Sequence, residues 1–369
     1  MTVFTLILTG AAEASVENTF LGSAGFFWAR PDLVVISGEL GQRLCFGDAG
    51  LEVRFAYWDV ARGDLNGQGH EIYPSRAYLE LSPGPFCFRV GRQGLTYGDG
   101  LWLSDLDMGA DGARLGLELT NLRADLLWFL RSDSLRPGFR PDRNLAGLYL
   151  SIGPNWLLLD IYGGAETQAL PDRWLGARLY LNRTGFRLKG ELASNRKGST
   201  WVAEGVFWGL GVAELGGGFF HFSEAWRSPF SYPYIMDGYY NGWTGFGDAL
   251  SWDAMTDTLL APYVSSGTGG IYGIYWMDMH SFEAADLSVL FGMTEELSGR
   301  LDALVYLYLP GREEIGREAS LNLFYDTEGF RFGLGGGYMI PGDFLRGLGR
   351  DDPYWTVRLW AFRGFELGI

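Results

Sequence analysis

Arginine is the residue whose placement in this chain suggests chemistry. Arg54, Arg89, Arg114, Arg178 and Arg187 each sit between two apolar residues in an alternating run. A guanidinium stays charged at any physiological pH. Its planar fork of donors matches a carboxylate or a phosphate. It is a poor proton carrier, so the chemistry implied is anion recognition or pairing with acids, not bond making. Acids share the same faces at Glu39, Glu80, Glu118 and Asp125. Enzyme signatures are absent. His70, His221 and His280 are isolated, and no G-x-S-x-G, H-x-x-x-H or CxxC occurs. The Gly216–Gly218 and Gly335–Gly337 runs precede no helix, so they form no phosphate cradle. The acids at Asp99, Asp105, Asp107 and Asp111 lack the pattern of a dedicated calcium loop. A non-enzyme with no cofactor and no metal is expected.

These arginines are positioned by period-two segments. In Phe86–Val90, Phe86, Phe88 and Val90 share one face, with Cys87 and Arg89 on the other. Arg114, Gly116 and Glu118 oppose Leu115, Leu117 and Leu119. Arg178 and Tyr180 oppose Leu175, Ala177, Leu179 and Leu181, and Asp302 and Tyr306 oppose Leu301, Ala303, Val305 and Leu307. Such alternation makes strands with one greasy and one polar face. In a soluble sheet the greasy face meets a core. In a membrane barrel it meets lipid, and the polar face meets an aqueous lumen.

Composition favours the barrel. A chain of 369 residues with no linker or charge block suits one large closed sheet. It has 55 Gly, and 16% of it is aromatic, which suits tight turns and interfacial rings. No apolar run is long enough for a membrane helix. The net charge of −15 argues against nucleic acid and anionic surfaces as partners. Cys45 and Cys87 fall on separated strands and are expected to be free thiols. Met1–Ala14 reads as a first strand, or as a clipped signal.

Runs of about ten residues alternate with short turns, such as 47–50, 83–85, 153–155 and 182–185, and with longer connections at 15–31, 62–73, 95–111, 132–143, 223–255, 310–317 and 341–352. The prediction is a single all-β domain over 1–369. It is a transmembrane antiparallel up-and-down barrel of 18 strands, or 20 if every run counts, including one at 257–264. Short turns would be periplasmic and long loops extracellular. Aromatics near run ends, Trp128, Trp156, Trp174, Trp201 and Trp355, are expected in an interfacial girdle.

The lumen wall would then carry Arg43, Arg54, Arg76, Arg89, Arg114, Arg123, Arg131, Arg178, Arg187, Arg331 and Arg358 beside Glu39, Glu80, Glu118 and Asp125. Either this wall guides anionic solutes or its arginines pair with neighbouring acids as rigid ladders. The ladder is the plainer reading for any one residue. The 223–255 loop holds Trp226, Tyr232, Tyr239, Tyr240, Trp243 and Trp252, flat rings suited to stacking on sugars or to forming a pore constriction.

The stretch from Gly91 to Gly100, GRQGLTYGDG, followed by Asp111, Gly112, Arg114 and Leu115, resembles the alginate-export family of bacterial outer-membrane porins. The run Ser37, Gly38, Glu39, Gln42 and Arg43 is also similar. The likeness covers about the first third of the chain. It implies an eighteen-stranded barrel that passes solutes, with alginate one candidate among them. The expected function is passive diffusion of hydrophilic, anionic or saccharide solutes across the bacterial outer membrane. The partners are then outer-membrane lipid and a small solute or oligosaccharide. The alternative is a non-conducting scaffold or receptor with a plugged lumen.

Overall fold

A computed structural model describes residues 16–29, 33–62, 71–94, 96–97, 102–104, 110–131, 143–166, 173–208, 213–223, 264–266, 277–279, 282–327, 330–347, 349 and 351–368. The first five strands are β1 (Val16–Ala29), β2 (Leu33–Phe46), β3 (Ala49–Arg62), β4 (Glu71–Leu81) and β5 (Phe86–Gln93). The two-residue strands β6 (Thr96–Tyr97) and β7 (Leu103–Ser104) form a small hairpin. Next come β8 (Ala110–Leu119), β9 (Leu122–Arg131), β10 (Arg143–Ile152), β11 (Leu157–Glu166), β12 (Arg173–Arg183), β13 (Phe186–Asn195), β14 (Ser199–Trp208) and β15 (Ala213–Phe222). A second small hairpin joins β16 (Val264–Ser266) to β17 (Met277–Met279). The chain finishes with β18 (Phe282–Gly292), β19 (Leu297–Tyr308), β20 (Glu313–Thr327), β21 (Phe330–Pro341), the helix α1 (Asp343–Gly347) and β22 (Tyr354–Gly368).

Apart from the two small hairpins, the strands form one eighteen-stranded antiparallel sheet. Each strand pairs with its neighbour in the chain, and β1 pairs with β22 from Thr19↔Gly368 to Ala29↔Arg358. The last strand therefore meets the first, and the sheet closes with no free edge.

The two faces settle the orientation of the strands. Along β12, β19 and β20, burial alternates residue by residue. The exposed positions are the apolar ones: Leu175 is 66% exposed, Leu287 57%, Leu126 55% and Leu79 55%. The buried alternates include Glu52, Asp125, Asp160, Glu191, Asp302 and Glu318. A soluble domain buries its leucines. This sheet turns them outward and its carboxylates inward, the pattern of a transmembrane barrel.

Local chemistry makes the turns. Gly47, Gly84 and Gly185 adopt φ of 59°, 61° and 93°, which glycine tolerates without strain. Between β13 and β14, the Asn195 side-chain oxygen accepts hydrogen bonds from the backbone N–H groups of Lys197 (2.8 Å) and Gly198 (2.9 Å).

Several sequence expectations are corrected. Residues 15–31 are not a loop, because β1 occupies Val16–Ala29. The proposed strand in Met1–Ala14 lies outside the described residues, as do 257–263. Val264–Ser266 pairs with Met277–Met279 and stays outside the barrel sheet. Among the described residues the sheet has eighteen strands, the lower of the two expected counts. The 310–317 loop is a turn at 309–312, since β20 begins at Glu313. Cys45 and Cys87 are free, as expected.

The inside-out pattern predicts an asymmetric response to charge. Leu179→Arg, mid-strand on the outward face of β12, should destabilise the folded barrel by about 2–4 kcal/mol. Ser320→Arg, on the inward face of β20, should cost less. Denaturant titration of refolding into lipid vesicles measures both, and equal costs would refute the assignment of faces.

Candidate functional site: the inner wall and its docked hairpin

The inward faces of β2–β5 and of β8 and β9 carry clusters of paired arginine and acid. Glu52, buried on β3, accepts from the Tyr78 hydroxyl at 2.9 Å and lies 2.7 Å from Arg54 and 3.9 Å from Arg43. Arg54 also reaches Glu39 at 3.3 Å, and Glu39 accepts from the Ser75 hydroxyl. Glu80 accepts from Nε of Arg89 at 2.8 Å and lies 3.7 Å from Arg43. The Arg89 guanidinium covers the Tyr78 ring at 4.3 Å. Asp125, fully buried on β9, accepts from both Arg114 and Arg123 at 2.9 Å, and Glu118 lies 3.3 Å from Arg114. On β11 and β12, Asp160 and Arg178 are 3.3 Å apart.

The ladder reading therefore describes these arginines. Cross-strand register brings each beside an acid, and the buried carboxylates keep charged partners, as low-dielectric surroundings demand. Arg43 and Arg123 keep the most accessible side chains, at 44% and 41%. Arg76 donates to the Ser75 carbonyl at 2.8 Å. Arg187 lies on β13 and is half-buried. Arg131, Arg331 and Arg358 lie on β9, β21 and β22, and their side chains fall outside the described residues.

The opposite part of the wall is acidic. Glu204 on β14 meets Lys189 of β13 at 2.6 Å, with both buried. On β18 and β19, Arg300 lies 2.6 Å from Asp302 and 3.5 Å from Asp286. Glu318, Ser320 and Asn322 continue this buried row on β20. Sequence reading missed Asp286 and Arg300, although both keep the alternation of their runs. No group of acids, histidines or cysteines among the described residues has the geometry of a metal centre.

A hairpin docks against this wall. Tyr97 of β6 and Trp102 and Leu103 beside and on β7 are 5%, 0% and 0% exposed. Trp102 stacks on Tyr162 with centroids 4.9 Å apart and planes 2° apart. Tyr97 packs on Tyr149 at 4.7 Å. Both partners project from the inward faces of β10 and β11. The Trp102 indole fits because Gly147 and Gly164 lack side chains: an added Cβ would approach it to 3.0 and 2.9 Å. The Tyr162 hydroxyl donates to Glu191 at 2.6 Å, tying the seat to the charge network. Burial, with Asp125 beside it, pushes the Tyr97 phenol up from its ordinary pKa, so it remains a neutral donor.

This differs from the expected site. The 95–111 connection, expected as a long extracellular loop, packs its described residues Tyr97, Trp102 and Leu103 against the inward face of the sheet. The aromatic loop chosen as the constriction, with Trp226, Tyr232, Tyr239, Tyr240, Trp243 and Trp252, lies outside the described residues. A usable signal was present: glycines inside strands β10 and β11 mark a close approach, and Tyr97, Trp102 and Leu103 put bulky apolar side chains in a connection that otherwise reads as an exposed loop. Trp174 is buried inward instead of joining a girdle, whereas Trp128 and Trp156 face outward at 45% and 41% exposure.

The motif behind the family resemblance has structural work to do. Gly91 has φ of 116°, and a Cβ there would lie 2.3 Å from the Ala77 carbonyl oxygen. Gln93 is buried and donates to the Gly112 carbonyl at 3.3 Å, and Arg92 pairs with Asp111 at 3.1 Å. All three fasten β5 to its neighbours. Gly98, Asp99 and Gly100 lie outside the described residues.

No protein-family model and no curated protein matches the chain. Solved structures do. The chain is similar to OccAB1 of Acinetobacter baumannii, with a TM-score of 0.67 and 11% identity over 97% of this chain and 99% of that one. It is also similar to OpdK of Pseudomonas aeruginosa, solved with vanillate (TM-score 0.60, 12% identity, 96% and 99% covered). The same holds for OccK2 (OpdF) of that organism, in complex with glucuronate (0.60, 11%, 96% and 98%). The likeness is one of fold, an antiparallel β-barrel, and it spans nearly the whole of each chain. None of these three is named as an alginate exporter.

The docked hairpin is testable. Trp102→Ala should weaken docking by about 3–5 kcal/mol, the usual cost of emptying a buried aromatic site. Gly164→Val should displace the indole. Both variants should be cut faster within 94–109 by added protease while the barrel stays folded. Protection equal to wild type would rule out the docking.

Proposed function

We propose that the chain is a bacterial outer-membrane porin that passes small hydrophilic solutes, with carboxylate-bearing or saccharide solutes preferred. The observation that carries this reading is a closed sheet whose leucines face outward while its paired arginines and carboxylates face inward. Such a barrel has lipid outside and a polar interior. The structural neighbours that hold glucuronate and vanillate support a small carboxylate as the solute class. Alginate is a narrower expectation that rests on the sequence resemblance alone.

Arg43, Arg54, Arg76, Arg89, Arg114, Arg123, Arg178 and Arg187, with Glu39, Glu80, Glu118 and Asp125, would line the pathway. Arg123 is the strongest candidate contact. It is accessible, it faces both Tyr97 and Tyr149 at 5.6 and 5.7 Å, and Glu118 stands 4.0 Å away. A solute carboxylate could replace Glu118 there at little net cost, because one charge-assisted pair is exchanged for another. The hairpin beneath would narrow the bore and exclude larger solutes.

A plugged, non-conducting barrel is the second reading. It is favoured by the deep burial of Glu204, Asp286, Asp302 and Glu318 on the inner wall. Single-channel recording in planar bilayers decides between them. Ohmic conductance is expected, with Trp102→Ala raising it. Arg123→Gln should lower the anion-to-cation permeability ratio taken from the reversal potential in a salt gradient. A folded protein that never conducts would refute the porin reading. Unchanged selectivity in Arg123→Gln would leave the arginines a purely structural role.

A further inference from the structure

The outward face differs between its two ends. At the short-turn end apolar and aromatic side chains predominate, with Phe46, Phe86, Trp156, Phe207 and Phe332 exposed and the Arg183 guanidinium 3.5 Å over the Trp156 ring. At the end with the long connections it carries charge. His221, the last residue but one of β15, lies there, and its Nδ1 is 2.9 Å from Oε1 of Glu283 on β18. The Arg312 guanidinium, from the turn before β20, lies 3.7 Å from the other carboxylate oxygen. Close by, Arg317 donates to both oxygens of Glu314 at 3.0 and 2.9 Å. Register fixes the outward direction: Glu283 pairs with His221 and Leu307, and the alternate Asp286 is buried inside. The Trp201 ring lies nearly parallel to His221 (5.7 Å, 15°) and to Phe219 (5.2 Å, 15°).

Charge on the outer wall of a barrel is costly in hydrocarbon and tolerated at headgroup depth. The side chains of Arg312 and Arg317 are 76% and 68% exposed, so donors of both remain available after their acids are served. A flat aromatic shelf beside exposed guanidinium donors and one carboxylate suits a headgroup that is both sugar and phosphate. We propose that Trp201, His221, Glu283 and Arg312, with the Glu314–Arg317 pair alongside, form an outer-wall docking site for the headgroup of a phosphorylated glycolipid. This proposal rests on the membrane reading above. Arg312 and Arg317 would hold phosphate. Trp201 would stack on the sugar. Glu283 would keep His221 and Arg312 in place and accept from a sugar hydroxyl or amine.

Native mass spectrometry of the detergent-purified full chain tests this, with lipid A, phosphatidylglycerol and inorganic phosphate as probes. Lipid A should stay bound in preference to both others. The double variant Arg312→Gln/Arg317→Gln should lose at least about tenfold in lipid A affinity. Trp201→Ala should narrow the preference over phosphatidylglycerol, and Arg92→Gln, on β5, should change nothing. Heat-modifiable gel mobility checks that each variant is folded. Wild-type lipid A affinity in the double variant would overturn the proposal, as would equal binding of phosphatidylglycerol or free phosphate. Bilayer recordings on the same preparations keep the two readings apart. Conducting barrels without lipid A binding refute the docking site alone, and lipid A binding without conductance refutes the channel alone.

Discussion

The structure depends on one constraint: in hydrocarbon, backbone N–H and C=O groups find no water, so every strand needs two partners. The pairing of β1 with β22 meets that demand for the strands that would otherwise be edges. Closure also dictates the chemistry of both faces. The outward face must be apolar, which explains exposed leucines and phenylalanines on strand after strand. The inward face must satisfy its polar groups internally or with water. Where it is buried, only pairing will serve.

That requirement accounts for the preference for arginine. Asp125 is fully buried and holds two guanidinium groups; Glu52 holds a tyrosine hydroxyl and two arginines. A planar, multiply donating cation satisfies several acceptor sites at once, which a lysine ammonium does less well. The network also creates a surface to which something else can dock. The Tyr97–Trp102 hairpin uses it: aromatic rings fill the space above two glycines, while the Tyr162 hydroxyl beneath reaches Glu191. Rigid wall and docked hairpin arise from the same set of contacts.

Much of this was legible in order along the chain. Period-two alternation in segments such as 86–90, 114–119 and 175–181 identified strands and assigned their faces, because side-chain direction in a strand follows position alone. Strand number was less secure. A glycine- and alanine-rich stretch such as Val16–Ala29 alternates weakly, and its partners lie at residues 33–46 and 358–368, so only closure marks it as the first strand. Trp174 illustrates a second limit: a ring near a strand end fits a girdle or a packed interior equally well until its face is known.

The sequence by itself determined an antiparallel barrel with a polar interior of mixed sign, since those properties follow from the identity and parity of neighbouring residues. Tertiary structure decided which acid answers which arginine, because register across strands places residues such as Arg114 and Asp125 side by side. It also decided that the segment after β5 turns inward. That outcome rests on the fit of Trp102 between Gly147, Gly164 and Tyr162, residues 45 to 62 positions away in the chain, so the apolar residues of 95–111 hint at burial but cannot name the seat.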